Sequence, residues 1–252
     1  MDPSTRHTVS KVPALTLGFW IIKILATTLG ETGGDALSMS AGLGYLLSTA
    51  LFAAIFIAAV AAQIRAREFQ PWLYWFAILA STTVGTTLAD FADRSLGIGY
   101  AGGASTLLAL LLVVLALWRW TLGSINVKSV CDWRTEGFYW LAIMCSQTLG
   151  TALGDWTADS AGLGYLGAIV VFGGALLMVL AAWRWSRLST TALFWVAFVL
   201  TRPLGAVVGD FLDKPLAQGG LDLSRVAASA ILLVSIAVLI AVLPKRAADS
   251  AH

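Results

Sequence analysis

Long apolar runs alternate with short polar breaks along the whole chain. Eight runs stand out, at roughly 12–36, 43–64, 71–91, 100–122, 137–158, 164–183, 191–212 and 224–244. A membrane-crossing helix needs about 20 mainly apolar residues, and each run meets that length. The odd-numbered runs are interrupted by threonine, glycine and acidic residues, whereas the even-numbered ones are almost wholly apolar. The pattern predicts an all-α polytopic membrane protein with eight transmembrane helices.

Composition agrees. The chain is 58% hydrophobic and 12% charged, against about 25% charged for a soluble domain. Its net charge of +2 suggests no nucleic-acid partner. Cys131 and Cys145 show no pair spacing, and the histidines, His7 and His252, lie at the ends, so no disulfide framework or zinc cluster is expected. The first apolar run exceeds a signal-peptide core, so a retained span is expected there.

Positive charge sets orientation. Arg6, Lys11, Arg65, Arg67, Arg119, Lys128, Arg134, Arg184, Arg187, Lys245 and Arg246 all fall on one side of the eight-span arrangement. Arg94, Lys214 and Arg225 fall on the other, and Lys23 and Arg202 lie within spans. Both termini are therefore expected in the cytoplasm, in a single membrane domain covering 1–252.

The odd-numbered runs are copies of one another. They read ATTLGETGGDALSMSAGLGY, STTVGTTLADFADRSLGIGY, SQTLGTALGDWTADSAGLGY and TRPLGAVVGDFLDKPLAQGG. Each holds an aspartate (Asp35, Asp90, Asp155, Asp210) five residues after a glycine and fifteen after a tryptophan (Trp20, Trp75, Trp140, Trp195). The aspartates are 55, 65 and 55 residues apart, so two halves repeat with a period of 120. Four parallel two-helix repeats follow, at approximately 12–67, 68–122, 137–187 and 188–246, arranged as two pseudo-symmetric halves. Transporters use such parallel repeats, related by an axis along the membrane normal.

The four tryptophans and Gly/Asp blocks resemble those of a family of bacterial membrane proteins built from four tandem two-span repeats of unknown function. The resemblance covers about 14–244 and implies this architecture and a bacterial inner-membrane location. Repeat four departs from it, with Pro203 for threonine and Gly220 for tyrosine. The family carries no settled activity, so the resemblance implies no mechanism.

A helical turn of 100° per residue divides each motif into two faces. One face holds small residues: Ala26-Gly30-Gly34, Ser81-Gly85-Ala89, Ser146-Gly150-Gly154 and Thr201-Gly205-Gly209. Such stripes let membrane helices approach closely. The other face is polar, with Thr27, Thr82, Gln147 and Arg202 eight before the aspartate and Thr28, Thr83, Thr148 and Pro203 seven before it. Glu31, Thr86, Thr151 and Ala206 stand four before, and Asp93, Asp159 and Asp213 follow the aspartates by three or four residues. A buried guanidinium needs a carboxylate, so Arg202 is expected to pair with a motif aspartate of a neighbouring repeat. Lys23 is expected to snorkel or bridge helices. The tryptophans fit either an aromatic belt at the lipid interface or a plug at the inner end of a pathway. The GLGY-type segments read as a turn plus helix start.

The candidate transport and ion-binding residues are Glu31, Asp35, Asp90, Asp93, Asp155, Asp159, Asp210 and Asp213, with Thr28, Thr83, Thr148 and Arg202. Glu31, Asp35, Asp90, Asp155 and Asp210 are the candidate metal ligands. Oxygen-only clusters suit hard ions such as Mn²⁺, Mg²⁺ and Ca²⁺. Close carboxylates also favour protonation, which permits proton coupling. The expected function is a membrane transporter for such a cation, exchanged for protons. Its partners are the lipid bilayer and the inorganic cation, with homo-oligomers allowed and no cofactor beyond a bound divalent cation. The segment ETGGD is loosely similar to the Glu-x-Gly-Asp signature of a manganese and calcium transporter family, with an extra glycine. One alternative is a binding or sensory membrane protein without flux. An intramembrane enzyme is a further one, although the Gly-x-Gly-Asp form of membrane aspartyl proteases is absent.

Overall fold

Each repeat folds as two helices joined by a glycine turn. The structure, a computed structural model, describes residues 10–66, 68–127, 130–244 and 246–248. Arg6, His7, Arg67, Lys128, Lys245 and His252 of the reading above lie outside the described residues. Eight long helices are present among them: α1 (Leu17–Asp35), α2 (Tyr45–Arg65), α3 (Pro71–Asp90), α4 (Tyr100–Leu122), α5 (Trp133–Asp155), α6 (Gly164–Trp185), α7 (Thr190–Asp213) and α8 (Arg225–Val242). No strand occurs among the described residues; a single bridge joins Pro13 and Ala247.

Five helices, α2, α4, α6, α7 and α8, are long and apolar enough to cross a membrane. The other three are more polar. α1 carries Lys23, Glu31 and Asp35; α3 carries five serines and threonines from Ser81 to Thr87 besides Asp90; α5 carries Arg134, Glu136 and Asp155.

Local sequence sets the helix ends. Thr16, Ser189 and Ser224 cap α1, α7 and α8 through their hydroxyls, and Asp132 caps α5 in a reciprocal box with Thr135. Such caps satisfy amides that have no partner inside the helix. Pro71 opens α3, where its missing amide costs nothing. After Asp35, Asp90 and Asp155 the chain widens into one extra turn. There the amides of Ala41, Leu96 and Ala161 bond the carbonyls five residues back, of Ala36, Phe91 and Trp156, at 2.8–3.0 Å. Gly42 and Gly44, Gly97 and Gly99, and Gly162 and Gly164 then reverse the chain with φ between 63° and 80°. That left-handed conformation favours glycine. In repeat four Pro215 replaces the wide turn, and α7 runs unbroken through Pro203 to Asp213.

The odd-numbered helices close a ring. α1 packs on α3, α3 on α5, α5 on α7 and α7 on α1. Each even-numbered helix leaves its own repeat and lies outside the next: α2 on α3, α4 on α5, α6 on α7 and α8 on α1. Burial follows. α1, α3, α5 and α7 are largely enclosed, whereas α2, α4, α6 and α8 keep most of their leucines, valines and isoleucines exposed.

Glycine fixes the ring's dimensions. A Cβ on Gly30 would stand 2.1 Å from Thr82 Oγ1, and one on Gly205 2.1 Å from Thr27 Oγ1. At Gly85 and Gly150 it would meet the Gln147 backbone at 2.8 Å and Arg202 Cγ at 2.2 Å. The small face of each helix thus receives the polar face of the next, so the two faces read from sequence meet across every ring interface. The ends of the described chain are tied at one pole: Ala14 N bonds Arg246 O at 2.9 Å and Ala248 N bonds Val12 O at 2.8 Å. Beside them Lys11 pairs with Glu136 at 2.6 Å.

Candidate functional site

Buried residues at four-residue intervals line the ring in layers, because side chains at i and i+4 share a helix face. The layer nearest the termini is aromatic: Phe19, Tyr74, Tyr139 and Phe194, all buried. Each rests on the tryptophan of the next repeat. Phe19 meets Trp75, Tyr74 meets Trp140, Tyr139 meets Trp195 and Phe194 meets Trp20, with ring centroids 5.4–6.3 Å apart. The hydroxyls of Tyr74 and Tyr139 share a hydrogen bond of 2.6 Å. Trp75, Trp140 and Trp195 are buried and Trp20 half-buried. The four tryptophans pack against the aromatic layer inside the bundle rather than forming a belt that faces outward.

The second layer is Lys23, Ile78, Ile143 and Phe198, all fully buried. Lys23 does not snorkel; its ammonium sits 4.2 Å over the Phe198 ring, and Nζ has no hydrogen-bond partner among the described residues. Thr27, Thr82, Gln147 and Arg202 form the third layer. Thr27 and Thr82 donate to the carbonyls of Thr201 and Ala26 on the neighbouring helices, at 3.1 and 3.2 Å.

Arg202 reaches forward from its layer into the fourth, which holds Glu31, Thr86, Thr151 and Ala206. Its Nη2 donates to Glu31 Oε2 at 3.1 Å, to Thr86 Oγ1 at 2.5 Å and to Thr151 Oγ1 at 2.6 Å. One nitrogen of α7 therefore holds α1, α3 and α5. The expected partner, a motif aspartate, is corrected to Glu31. The aspartates lie two helical turns from Arg202's own position, and Glu31 only one. Nε and Nη1 of Arg202 have no hydrogen-bond partner among the described residues.

The fifth layer is the aspartate ring itself, and Asp35, Asp90, Asp155 and Asp210 are all buried. Cations at and beyond its outer edge meet it. Arg94 and Lys214 occupy the same position, four after the aspartate, in repeats two and four. Arg94 pairs with Asp90 at 2.8 Å, and Lys214 pairs with Asp35 at 2.6 Å and Asp210 at 2.9 Å. Arg225 bonds Asp213 at 2.9 Å and stands 3.9 Å from Asp35. Asp155 makes no ion pair among the described residues, and its Oδ2 is buried without a hydrogen-bond partner.

Two groups of three carboxylates offer oxygens within 4.8 Å of one another: Glu31, Asp35 and Asp90, and Asp35, Asp210 and Asp213. Asp35 belongs to both, and Asp155 to neither. Asp213 is buried, Asp93 half-buried against Gly103, and Asp159 exposed. Thr28, Thr83 and Thr148 are buried, but their hydroxyls donate to the carbonyls of Ile24, Leu79 and Met144 one turn back on their own helices. The hydroxyls that join the central network are Thr86 and Thr151.

Arg94, Lys214 and Arg225, placed by sequence only on the less positive side, stand at the site. The signal was available for two of them: Arg94 and Lys214 continue the four-residue register of the ring. The aromatic layer was legible the same way, as Phe-Trp, Tyr-Trp, Tyr-Trp and Phe-Trp in the four repeats.

Comparison with known proteins agrees with the repeat structure. Residues 18–69, 73–123, 138–189 and 193–246 each match the family described as Repeat of Unknown Function (DUF347). No curated protein and no solved structure was found to match the chain.

Proposed function

The chain belongs to this DUF347 repeat family, and from that premise we propose that it is a multi-pass protein of a bacterial inner membrane that moves a hard divalent cation, Mn²⁺, Mg²⁺ or Ca²⁺, in exchange for protons. In this reading all eight helices cross the bilayer, and both termini are cytoplasmic. α1, α3 and α5 can be more polar than ordinary spans because the ring and the even-numbered helices shield them from lipid. Ionisable residues at membrane depth face a bundle interior and mark a pathway.

The observation that carries the proposal is the shared position of Asp35. It stands in two groups of three carboxylates whose oxygens lie within 4.8 Å of one another, contributed by three different repeats. Hard cations take several oxygen ligands at once. Lys214 and Arg94 balance the ring from its outer edge, and an arriving cation displaces Lys214 from Asp35 and Asp210. Carboxylates so close cannot all stay ionised without a counter-charge, which couples cation release to proton uptake. The aromatic layer, with Lys23 and Arg202, closes the inner half, so the site opens to one side at a time.

The test is flux in proteoliposomes, with Mn²⁺, Mg²⁺ and Ca²⁺ offered in turn across an imposed pH gradient. Wild type should accumulate at least one ion, and the double variant Asp90→Asn/Asp210→Asn should not. Wild-type flux no greater than that of the variant would overturn the proposal.

A second reading, a binding or sensory protein without flux, is favoured by one observation: Lys214 already sits among Asp35, Asp210 and Asp213. In that case an ion shifts the melting temperature of wild type and not of the variant, with no flux in either.

A further inference from the structure

Four arginines at the pole where Pro13 pairs with Ala247 take no part in the ring. Arg119 stands between Trp118 and Trp120 at the end of α4, and Arg184 between Trp183 and Trp185 at the end of α6. The same Trp-Arg-Trp triplet thus closes both helices. Arg187 follows two residues after the second triplet, and Arg134 lies against Trp133, 5.2 Å from its ring, at the start of α5. All four arginines are exposed, and none is in an ion pair among the described residues. Trp120 and Trp185 are 84% and 79% exposed.

These groups share one flank. α4 lies on α5, α5 on α7 and α7 beneath α6. At this pole Trp118 packs on Trp195 at 5.8 Å, and Trp195 Nε1 donates to Ile125 O at 3.1 Å, so the end of α4 abuts the start of α7. α6 reaches that start through a four-residue link, 186–189. The opposite flank is sparser: α2 ends on Arg65 with no tryptophan, Trp72 at the start of α3 is exposed but stands in no Trp-Arg-Trp triplet, and α8 has no aromatic residue at all. Asp132 is the exposed acid within the patch.

We propose that this flank is a binding surface for anionic phospholipid, whose headgroup phosphates the four arginines take while the exposed tryptophans seat in the interface. The residue choice carries the argument. Among the described residues the four exposed cations of this flank are all arginine, whose planar fork bonds phosphate oxygens in pairs and stacks on aromatic rings, as a lysine ammonium does not. Tryptophan prefers the headgroup level of a bilayer. α4 and α6 are among the helices apolar enough to span, so their ends carry these side chains to that level. The inference rests on the membrane reading of α4 and α6 and is independent of cation movement.

The test uses the whole protein in vesicles of zwitterionic phosphatidylcholine with a minor share of phosphatidylglycerol. Either lipid carries brominated acyl chains in turn, and quenching of tryptophan fluorescence is read. Brominated phosphatidylglycerol should quench beyond its mole fraction. The triple variant Arg119→Gln/Arg184→Gln/Arg187→Gln should lose that excess, with lipid affinity falling about fivefold for each arginine removed. Arg65→Gln on the other flank should keep it. Quenching by each lipid only in proportion to its mole fraction in wild type, an unchanged excess in the triple variant, or an equal loss in Arg65→Gln would overturn the proposal. Absence of quenching by either lipid would overturn the membrane reading beneath it. An unchanged melting temperature in the triple variant shows that the loss is not unfolding.

Discussion

Arg202 concentrates the physics of the ring in one side chain. A buried guanidinium is tolerable only with a carboxylate and hydrogen-bond acceptors around it, and Glu31, Thr86 and Thr151 supply these from three other helices. Removing one member of such a pair leaves the other buried and uncompensated, at a cost of about 3–5 kcal/mol, whereas removing both is far less harmful. Glu31→Gln alone should therefore lower stability by about that amount in denaturant titration of the detergent-solubilised protein. Glu31→Gln combined with Arg202→Met should recover more than half of the loss. A double variant as unstable as the sum of the single ones would show that the pair is not the unit. A different residue bears on pH. Slight burial raises the carboxyl of Asp132, but hydrogen bonds from the Thr135 hydroxyl and backbone amide outweigh it, so its pKa lies below the ordinary aspartate value. A depressed carboxyl stabilises above its unfolded pKa, about 3.9, and loses that contribution as pH falls through the folded value. Asp132→Ala should thus cost about 1 kcal/mol at neutral pH by removing the α5 cap. The difference from wild type should shrink when unfolding is measured in acid.

At the scale of the helix, glycine decides which faces touch. Gly205 and Gly174 are both helical, yet a Cβ on Gly205 collides with Thr27, side chain and backbone, while one on Gly174 meets nothing within 4 Å. Alanine is favoured over glycine in a helix by up to about 1 kcal/mol. Gly174→Ala should therefore be neutral or stabilising, whereas Gly205→Ala, which must part α1 from α7, should cost about 1–3 kcal/mol. Thermal unfolding of the two variants side by side checks this, and equal effects would deny the close packing of the ring. The stripe itself was legible in the sequence, because small residues every four positions have no other use as regular in a membrane helix. What it packs against was not. A single sequence shows each repeat as a hairpin of two helices, and nothing local says that α2 leaves α1 for α3. That exchange follows from closing four small faces onto four polar ones, a constraint that exists only when all four repeats are present. The cations of the ring escaped for a related reason. Arg94 sits in a wide helical turn and Lys214 in the first residue after α7, and only the continued helical register brings both back to the aspartates.

The whole molecule separates charge by pole. The acid ring and its cations Arg94, Lys214 and Arg225 lie toward one end of the bundle. The chain ends, the aromatic layer and the exposed Arg65, Arg119, Arg134, Arg184 and Arg187 lie toward the other. Pairing of Pro13 with Ala247 puts both ends of the described chain at one pole, whichever way the protein inserts. On the proposed membrane reading the arginines should decide which way it inserts, since cytoplasmic loops keep the excess of positive charge. Two exposed serines mark the poles: Ser124 follows α4 beside the exposed arginines, and Ser95 closes the wide turn after α3 beside the acid ring. With Cys131 and Cys145 replaced by serine, Ser95→Cys should react with a membrane-impermeant maleimide on intact cells. Ser124→Cys should react only after the membrane is permeabilised. The reverse pattern would put the acid ring on the cytoplasmic side and invert the direction of the proposed cation movement. Labelling of both from outside would mean that the ring does not span the membrane, and the polar helices α1, α3 and α5 would then need another explanation for their burial.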